Sequence, residues 1–358
     1  MSKTKKNVIV GMSGGVDSSL AALLLKEQGY NVTGVTMAIH NRQNGMSSLT
    51  GRGCYDCDKE KVIETAREIC RQIDIPYYAF DCSQEYKTYV LDYFRSEYMA
   101  GRTPNPCVRC NHFMKFGVLT EAALNKGIDF DYFATGHYAR TVQESGKTVL
   151  KTGIDPKKDQ SYFLYRLTPT QISRTLFPLG NLMKSQVRTM AERYGLAVHD
   201  KPDSQDFYSG DYADLLNAPP REGKIVLIDG TILGKHHGFW NYTVGQRKGL
   251  GIAYSEPLYV IGVDAQKNEV IVAPEAQTLK KTCSADSLNW IATPPFAGET
   301  LTAKLRSSQP PKTVSVSEIS DNILTLSFDE LQKAVTPGQS VVLYRGDTVV
   351  GGGIIRKS

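Results

Sequence analysis

The spacing of apolar and polar residues divides the first part of the chain into alternating strands and helices. Runs of apolar, β-branched residues predict strands over residues 8–10, 31–39, 76–81 and 131–135. Apolar residues at helical spacing predict helices over residues 17–25, 57–74, 84–99 and 112–125. Strands that alternate with helices indicate an α/β fold with a doubly wound parallel sheet, whose ligands bind at the carboxyl ends of the strands.

The pattern changes in the second half of the chain. Residues 139–152 predict a hairpin, and helical spacing then runs from 158 to about 194, ending at Gly195. Short strands and glycine turns fill 223–274, and strict alternation from 284 onward predicts a small antiparallel β-barrel. Residues 40–53 and 103–106 predict loops. The predicted domains are an α/β domain over 1–210, a central β-rich domain over 211–278 and the barrel over 279–358.

Composition narrows the class of protein. With 358 residues, 41% of them hydrophobic and 22% charged, the chain has the make-up of a soluble globular protein with two or three domains. No apolar run is long enough to span a membrane, and the basic first residues lack the apolar stretch of a signal peptide. Seven cysteines, an odd number, indicate reduced thiols and a cytoplasmic location. The net charge of +5 permits a nucleic-acid partner.

A glycine-rich loop joins the first strand to the first helix, in Gly11-Met12-Ser13-Gly14-Gly15-Val16-Asp17-Ser18. Its glycines let the backbone approach a ligand closely, and the amides of the loop and the helix start favour an anion. Ser13, Ser18 and Ser19 add hydroxyl donors, and Asp17 is placed to hold magnesium. The SGGxDS pattern resembles the PP-loop of ATP pyrophosphatases and lacks the lysine of a Walker A loop. The alternative is a plain glycine–serine turn with Asp17 as the helix N-cap.

Two cysteines follow a proline-bounded loop in the run GRTPNPCVRCN, residues 101–111. Cys107 and Cys110 lie near a helix start and beside arginines, and both features stabilise a thiolate. Cys54 and Cys57 form a second C-x-x-C pair, and two such pairs match a four-thiolate zinc site or an iron–sulfur site. The remaining cysteines have only structural interpretations: Cys70, Cys82 and Cys283.

Eight motifs stand in an order that resembles the tRNA-uridine 2-sulfurtransferases, also called tRNA 2-thiouridylases. The motifs are GMSGGVDSS, AGRTPNPCVRCN, ATGHYAR, KDQSYFLYRL, FPLG, KPDSQDF, YTVGQRKGLGI and TPGQSVVLY, and they span the chain from Gly11 to Tyr344. The resemblance implies a PP-loop domain, a small central β domain and a C-terminal β-barrel. It also implies ATP- and Mg²⁺-dependent thiolation at position 2 of the wobble uridine in tRNAs for Lys, Glu and Gln, with a sulfur donor and no membrane partner.

The resemblance assigns binding roles to individual residues. ATP would be bound by residues 11–18 together with Met37 and Gly136. The residues that would face the target base are Asn105, Pro106 and Cys107. Those that would contact tRNA near the reacting nucleotide are His137, Lys158, Asp159 and Gln160, and those that would contact the anticodon arm are Arg306 and Gln339. Without the resemblance, His137 fits a satisfied core histidine, and Lys158 and Arg306 fit solvated surface charges.

The resemblance also implies the catalytic residues, which are Cys110 as nucleophile with Asp17 and Cys107. Many members carry a second catalytic cysteine, and its place is taken here by Tyr208, whose phenol forms neither a persulfide nor a disulfide. A two-cysteine relay is therefore not expected. We expect instead a 4Fe–4S cluster on Cys57, Cys107 and Cys110, with Cys54 as the alternative third ligand. A closed four-cysteine zinc site is the structural alternative.

Two other classes of protein are alternatives. An amidating ligase built on the PP-loop fold has no need of the Asn-Pro-Cys-x-x-Cys-Asn loop. A non-catalytic tRNA-binding protein with a structural zinc has no need of an intact PP-loop. Pyrophosphate release, measured with and without unmodified tRNA, separates these alternatives from a sulfurtransferase.

Overall fold

The computed structural model describes residues 5–39, 55, 58–203, 207–208 and 210–357. The predicted loop over 40–53 and the cysteines Cys54 and Cys57 lie outside the described residues. The chain divides into two compact units. The first comprises residues 1–90, 107–210 and 347–349, and the second comprises 91–106, 211–346 and 350–358. The boundaries of the three domains expected from the sequence stay a prediction.

Among the described residues, the first unit is built on a parallel sheet of five strands in the order β3-β2-β1-β4-β7. The strands of this unit, including a hairpin formed by β5 and β6, are β1 Asn7–Gly11, β2 Asn31–Ala38, β3 Tyr77–Asp81, β4 Tyr132–Ala134, β5 Ala139–Glu144, β6 Lys147–Thr152 and β7 Thr175–Leu176. Strand β1 is central, because Val8 pairs with both Val32 and Tyr132. The predicted doubly wound parallel sheet is confirmed.

Helices flank this sheet and continue into the second unit. In the described part of the chain the α-helices are α1 Val16–Glu27, α2 Lys59–Gln72, α3 Ser83–Tyr86, α4 Asp92–Met99, α5 Pro106–Arg109, α6 Leu119–Asn125, α7 Pro169–Ser173, α8 Lys184–Arg193 and α9 Tyr212–Leu216. The core packs Val8 and Val10 of β1 against Leu20 and Leu25 of α1, with Cys70 of α2 buried beside them. Burial of Cys70 confirms its structural interpretation.

The stretch predicted as helical from 158 to about 194 is wrong in its middle. A short 3₁₀ helix, Ser161–Leu164, and α7 are followed by the extended pair of β7, in which Thr175 pairs with Phe133 at the edge of the sheet. Helix α7 ends early although a capping box of Thr168 and Gln171 stabilises its start. Two residues of strand are too few to produce a periodic signal in the sequence.

The helix that carries the cysteine pair also differs from the prediction. It was expected to begin at residue 112, whereas α5 already begins at Pro106, a residue type favoured in the first turn of a helix. A π-helix, Cys110–Val118, continues α5 and leads into α6. A second π-helical segment, Lys87–Leu91, lies between α3 and α4. Wider π turns are uncommon and occur frequently at functional sites.

The second unit is rich in β structure, as predicted. In its described residues one sheet has the order β10-β11-β8-β9, and these strands are β8 Gly223–Leu227, β9 Ile232–His236, β10 Leu258–Asp264 and β11 Glu269–Pro274. The strands of the barrel are β12 Leu279–Trp290, β13 Thr300–Lys304, β14 Lys312–Ser320, β15 Ile323–Lys333, β16 Ser340–Arg345 and β17 Thr348–Ile355. They follow the order β12-β15-β14-β13-β16-β17, and pairing of β12 with β17 closes the barrel.

The barrel has an apolar interior formed by alternate residues of its strands. Val314, Leu324, Leu326 and Leu343 are fully buried, and Cys283 is buried among them. The predicted antiparallel barrel is confirmed, and so is the structural interpretation of Cys283. None of the helices in the described residues is both long enough and apolar enough to cross a membrane.

Candidate functional site

The glycine-rich loop lies at the carboxyl end of β1 and leads directly into α1. Gly14 has a φ of +65°, and a Cβ there would lie 3.0 Å from the carbonyl oxygen of Val62. Gly15 occupies the N-cap of α1 without a side chain to cap the helix, so Asp17 lies in the first turn and is not the N-cap. The first-turn amides are therefore left for an anion, as in other helix-start phosphate sites.

Serine hydroxyls stabilise this loop from within. The Ser18 hydroxyl accepts a hydrogen bond from the Ser13 backbone N–H at 3.1 Å and donates to the Gly15 carbonyl at 3.2 Å. Ser19 donates to the same carbonyl at 2.7 Å. Ser18 and Ser19 are buried, whereas Ser13 is exposed. Of the three predicted hydroxyl donors, Ser13 is thus the one that faces solvent, and the other two hold the loop in shape.

The Asp17 carboxylate is the centre of an ion-pair network. The Lys184 ammonium lies 2.7 Å from Oδ1 and 2.8 Å from Oδ2 of Asp17. The Tyr138 hydroxyl donates a hydrogen bond to Oδ1 at 2.8 Å. Burial and the Asp17 carboxylate both raise the pKa of Tyr138, so its hydroxyl remains a donor at neutral pH. These contacts hold the Asp17 side chain in position at the start of α1.

A second carboxylate, Asp203, shares the same lysine. Its Oδ1 lies 2.8 Å from the Lys184 ammonium and 3.2 Å from the Arg188 guanidinium, and its Oδ2 accepts from Lys158 at 2.7 Å. Burial of Asp203 works against ionisation, but hydrogen bonds from Lys158 and Lys184 outweigh it and lower the pKa of this carboxyl. Asp203 is therefore ionised and surrounded by cations.

Gly136 packs directly against the start of α1. A Cβ at this position would lie 2.7 Å from the backbone carbon of Asp17 and 2.7 Å from the backbone nitrogen of Ser18. Only glycine fits here without displacing the loop. Met37, the other residue predicted near the adenine and ribose, is half-buried near the carboxyl end of β2. Both residues lie at the strand ends where the sequence predicted a ligand.

His137 joins this edge of the sheet to the cysteine helix. Its Nδ1 is 2.7 Å from the Thr135 hydroxyl, and its ring lies 6.4 Å from that of Phe116 and 6.2 Å from that of Phe177. Burial, with a smaller effect of the Lys115 charge, holds the pKa of His137 well below its usual value. The imidazole is therefore neutral. Because Phe116 belongs to the π-helix of Cys110, one aromatic cluster links the two regions.

The cysteine pair lies at the junction of α5 with the π-helix. Cys107 and Cys110 are half-buried. Next to them, the Asn111 side chain is buried and donates from Nδ2 to the Phe163 carbonyl at 3.2 Å, while its Oδ1 has no hydrogen-bond partner among the described residues. The same holds for the buried Nδ1 of His112. A bound group with a matching donor or acceptor would satisfy these two atoms.

The loop fits a nucleotide phosphate, given its uncapped helix start and its glycine turn. Asp17 has the oxygen chemistry of a magnesium ligand, and both of its oxygens are engaged by Lys184 in this state. The expected cluster ligands cannot be placed together, since Cys57 and Cys54 lie outside the described residues. Within the described ranges, no group of three or more Cys, His, Asp or Glu side chains is arranged to hold a metal ion.

Comparison with known proteins covers nearly the whole chain. Family models match as the tRNA methyl transferase HUP domain over residues 6–208, the tRNA methyl transferase PRC-barrel domain over 216–274 and the Aminomethyltransferase beta-barrel domain over 280–355. The tRNA-specific 2-thiouridylase MnmA of Endomicrobium trichonymphae is 45% identical over 359 residues, 99% of this chain and 99% of that protein. The chain belongs to the tRNA-specific 2-thiouridylase family.

Other comparisons agree or are too weak to use. The tRNA-specific 2-thiouridylase MnmA of Geotalea uraniireducens is 44% identical, with 98% of this chain and 95% of that protein covered. Among solved structures, the NMN synthetase of Francisella tularensis matches with a TM-score of 0.35 and 19% identity, over 57% of this chain and 69% of that one. A likeness of that size supports no inference about this member of the 2-thiouridylase family.

Tyr208, at the place where many 2-thiouridylases have a second cysteine, belongs to a buried aromatic cluster. Its ring lies 6.4 Å from that of Tyr55, which stacks on Tyr86 at 5.6 Å and on Phe207 at 5.8 Å. The Tyr55 N–H also donates to the Phe207 carbonyl at 2.9 Å. In this family member the position serves packing.

The residues predicted to contact tRNA near the target base have partners within the first unit. Lys158 pairs with Asp203. Asp159 Oδ1 accepts from the N–H groups of Gly153 and Ser161, both at 3.1 Å, and Gln160 Oε1 accepts from the Tyr138 N–H at 3.0 Å. The contact of Gln160 with Tyr138 connects the KDQSYFLYRL motif to the ATGHYAR motif. Their contacts with tRNA stay a prediction.

Arg306 and Gln339, predicted to contact the anticodon arm, make anchoring contacts within the second unit. Arg306 donates to the Thr336 hydroxyl at 2.8 Å, and Gln339 Nε2 donates to the carbonyls of Thr103 and Pro104, each at 3.0 Å. Gln339 therefore fixes the loop that precedes Pro106. Asn105 is half-buried in that loop and Pro106 is buried, and their role toward the target base stays a prediction.

Sequence reasoning missed Lys184, Asp203 and Tyr138 as members of the site. Tyr138 and Asp203 were inside quoted motifs, ATGHYAR and KPDSQDF, and Lys184 follows the FPLG motif by four residues. No local pattern reveals their partners: Tyr138 and Lys184 bond to Asp17, which is 121 and 167 positions away, and Asp203 bonds to Lys158, which is 45 positions away. The motifs themselves were the only available signal.

Proposed function

We propose that this protein catalyses the ATP-dependent 2-thiolation of uridine in tRNA, at the wobble position of the Lys, Glu and Gln isoacceptors. The observation that carries the proposal is the glycine loop itself, with an uncapped helix start, Asp17 bonded to Lys184, and a link through His137 to the helix of Cys110. Membership in the 2-thiouridylase family supports the same activity. The names of the relatives indicate tRNA as the substrate, and the glycine loop indicates the use of ATP.

In the first half-reaction, the uridine O2 attacks the α-phosphorus of ATP and pyrophosphate leaves. This step turns O2 into part of a good leaving group, AMP. The amides of residues 13–18 and the start of α1 hold the departing phosphates, because preorganised donors are most effective where charge develops. Magnesium, when bound, neutralises phosphate charge. Asp17 and Gly136 keep the loop in the geometry that these contacts require.

In the second half-reaction, a hydrosulfide ion presented beside Cys110 attacks C2, the bond from C2 to the adenylate oxygen breaks, AMP leaves, and the sulfur loses its proton to become the 2-thio group. Cys110 lies at the start of the π-helix and is half-buried, which gives its sulfur access to a substrate. Sulfur reaches Cys110 from a donor outside this chain.

The form in which Cys110 carries sulfur stays a prediction. The expected iron–sulfur ligands are Cys57, Cys107 and Cys110, with Cys54 as the alternative. The described structure supports the pair alone, since Cys107 precedes Cys110 by one helical turn. Anaerobic iron and sulfide analysis of wild type and Cys107→Ser tests the cluster. Full activity of iron-free protein would eliminate it.

One assay separates this activity from its alternatives. Purified protein is given ATP, Mg²⁺, sulfide and an unmodified tRNA transcript, and pyrophosphate release and the masses of the digested nucleosides are recorded. We expect tRNA-dependent pyrophosphate release and a uridine whose mass shows sulfur in place of oxygen. Pyrophosphate release that does not depend on tRNA would indicate an amidating ligase. Binding without pyrophosphate release would indicate a tRNA-binding protein.

A further inference from the structure

Lys184 is the first residue of α8, and its side chain is held between two carboxylates at the glycine loop. Its ammonium lies within 2.8 Å of three carboxylate oxygens, two from Asp17 and one from Asp203. The residue is only 8% exposed, so this charge is largely withdrawn from water. Its backbone N–H is fixed as well, by a hydrogen bond to Asp155 Oδ2 at 2.9 Å. Both the backbone and the ammonium group of Lys184 are therefore held in place.

The loop needs a cation that it does not itself contain. No lysine or arginine occurs between residues 7 and 25, and the one acidic side chain of the loop is Asp17. Pyrophosphate brings several negative charges, which neutral amides alone offset incompletely. In Walker A loops a lysine inside the loop contacts the phosphates. Here Lys184 reaches the same place from a helix that follows 167 residues after Asp17.

We propose that Lys184 is the pyrophosphate-binding cation of this site, held on Asp17 and Asp203 until a magnesium–nucleotide complex binds. Its ammonium then turns from Asp17 to the β- and γ-phosphate oxygens, and Asp17 is left to the magnesium ion. This inference rests on the proposed function, because it assumes that the loop binds ATP. It adds a residue to which no role had been assigned.

The network allows this exchange because each carboxylate keeps a hydrogen-bond partner. When Lys184 turns away, Asp203 keeps Lys158 and Arg188 as partners, and Asp17 keeps the hydroxyl of Tyr138. A lysine ammonium on a flexible four-carbon stem can move between acceptors, whereas breaking an isolated buried pair would be costly. The alternative is that Lys184 only holds two segments of the fold together.

The test compares the binding of pyrophosphate with that of AMP. Lys184→Met removes the charge and keeps the length of the stem, and Lys184→Arg keeps the charge. The matched control is Lys151→Met, whose ammonium also bridges two carboxylates, Glu144 at 2.7 Å and Asp347 at 3.0 Å, but in the β5–β6 hairpin. Isothermal titration with Mg²⁺-pyrophosphate and with AMP gives both dissociation constants, and thermal unfolding reports folding.

We expect Lys184→Met to bind pyrophosphate about tenfold or more weakly, the loss of one charged hydrogen bond, with AMP binding nearly unchanged. Lys184→Arg should retain most of the pyrophosphate affinity, and Lys151→Met all of it. Pyrophosphate affinity equal to wild type in Lys184→Met, or an equal loss for both ligands, would overturn the proposal. A wild type that binds neither ATP nor pyrophosphate would instead overturn the proposed function, and this inference with it.

Asp203→Asn tests the same proposal if Lys184→Met does not fold. This variant keeps the lysine and weakens its hold on the apo position, so we expect pyrophosphate to bind several-fold more tightly. A purely structural lysine predicts the opposite sign, because loosening Asp203 would then disturb the loop. Unchanged or weaker pyrophosphate binding in Asp203→Asn would contradict the proposal.

Discussion

The glycine loop of residues 11–18 and the cysteine helix of residues 107–118 belong to the same unit but differ in how their polar groups are bonded. In the loop, Asp17 and the buried serine hydroxyls all have partners inside the protein. In the cysteine helix, Asn111 Oδ1 and His112 Nδ1 are buried without a hydrogen-bond partner among the described residues. The backbone there is also wound as a π-helix.

This difference indicates how the two regions meet their ligands. A fully bonded loop is preorganised, so a charged ligand exchanges one set of ionic contacts for another. Buried polar atoms without partners raise the free energy of the empty protein, and a substrate with matching groups removes that cost. The Phe116 ring lies 6.4 Å from the His137 ring, and the adjacent Gly136 packs against Asp17, so contiguous contacts connect the two regions. A substitution in either the glycine loop or the cysteine helix should therefore change one region and leave the other as a reference.

The largest effect should come from Asp17→Asn. Because the carboxylate is the charged centre of the loop, we expect pyrophosphate release and thiolation to fall together, by at least about a hundredfold. Binding of tRNA should persist. Asp58→Asn is the control, since Asp58 caps α2 and asparagine caps a helix equally well. A variant at position 17 that releases pyrophosphate at the wild-type rate would show that the loop does not depend on this charge.

A smaller effect is expected from adding one methyl group, either beside the glycine loop or in the cysteine helix. Gly136→Ala places a Cβ 2.7 Å from backbone atoms of Asp17 and Ser18, and we expect unfolding free energy to fall by about 2 to 3 kcal/mol. Gly117→Ala, in the cysteine helix, meets nothing closer than 3.5 Å and should be neutral or slightly stabilising. Urea unfolding of both variants, with ATP titrations, makes the comparison. Equal destabilisation would mean that the loop is no more tightly packed than the helix.

The smallest effect concerns pH. Burial, with the charges of Arg166 and Arg109, lowers the pKa of His112 from 6.5 to about 4. Below pH 6.5, His112 is protonated in the unfolded chain but not in the folded protein. The free energy of unfolding therefore decreases until the pH reaches the pKa of His112 in the folded protein. Between pH 6.5 and about 4, we expect the free energy of unfolding of His112→Gln to fall by about 2 kcal/mol less than that of wild type. Urea unfolding at neutral and acidic pH measures it, and parallel pH profiles would contradict it.

Local patterns predicted what depends on local sequence. The strand before Gly11, the turn at Gly14 and the helix after Asp17 follow from apolar spacing and glycine alone, and all three are present. The ion pair of Lys184 with Asp17 joins residues 167 positions apart. The spacing of apolar and polar residues carries no information about contacts so far apart in the sequence. The early start of the cysteine helix at Pro106 was missed because the proline before Cys107 was taken as part of a loop.

The central claim is that the loop and the cysteine helix carry out separate half-reactions. Cys110→Ser tests it most directly, because serine keeps the size of the side chain and removes the sulfur. Pyrophosphate, AMP and thiolated uridine are measured together with ATP, Mg²⁺, sulfide and unmodified tRNA. The account predicts tRNA-dependent pyrophosphate release near the wild-type level in the first turnover, with no thiolated uridine. Loss of pyrophosphate release along with thiolation, or thiolated uridine formed without Cys110, would contradict it.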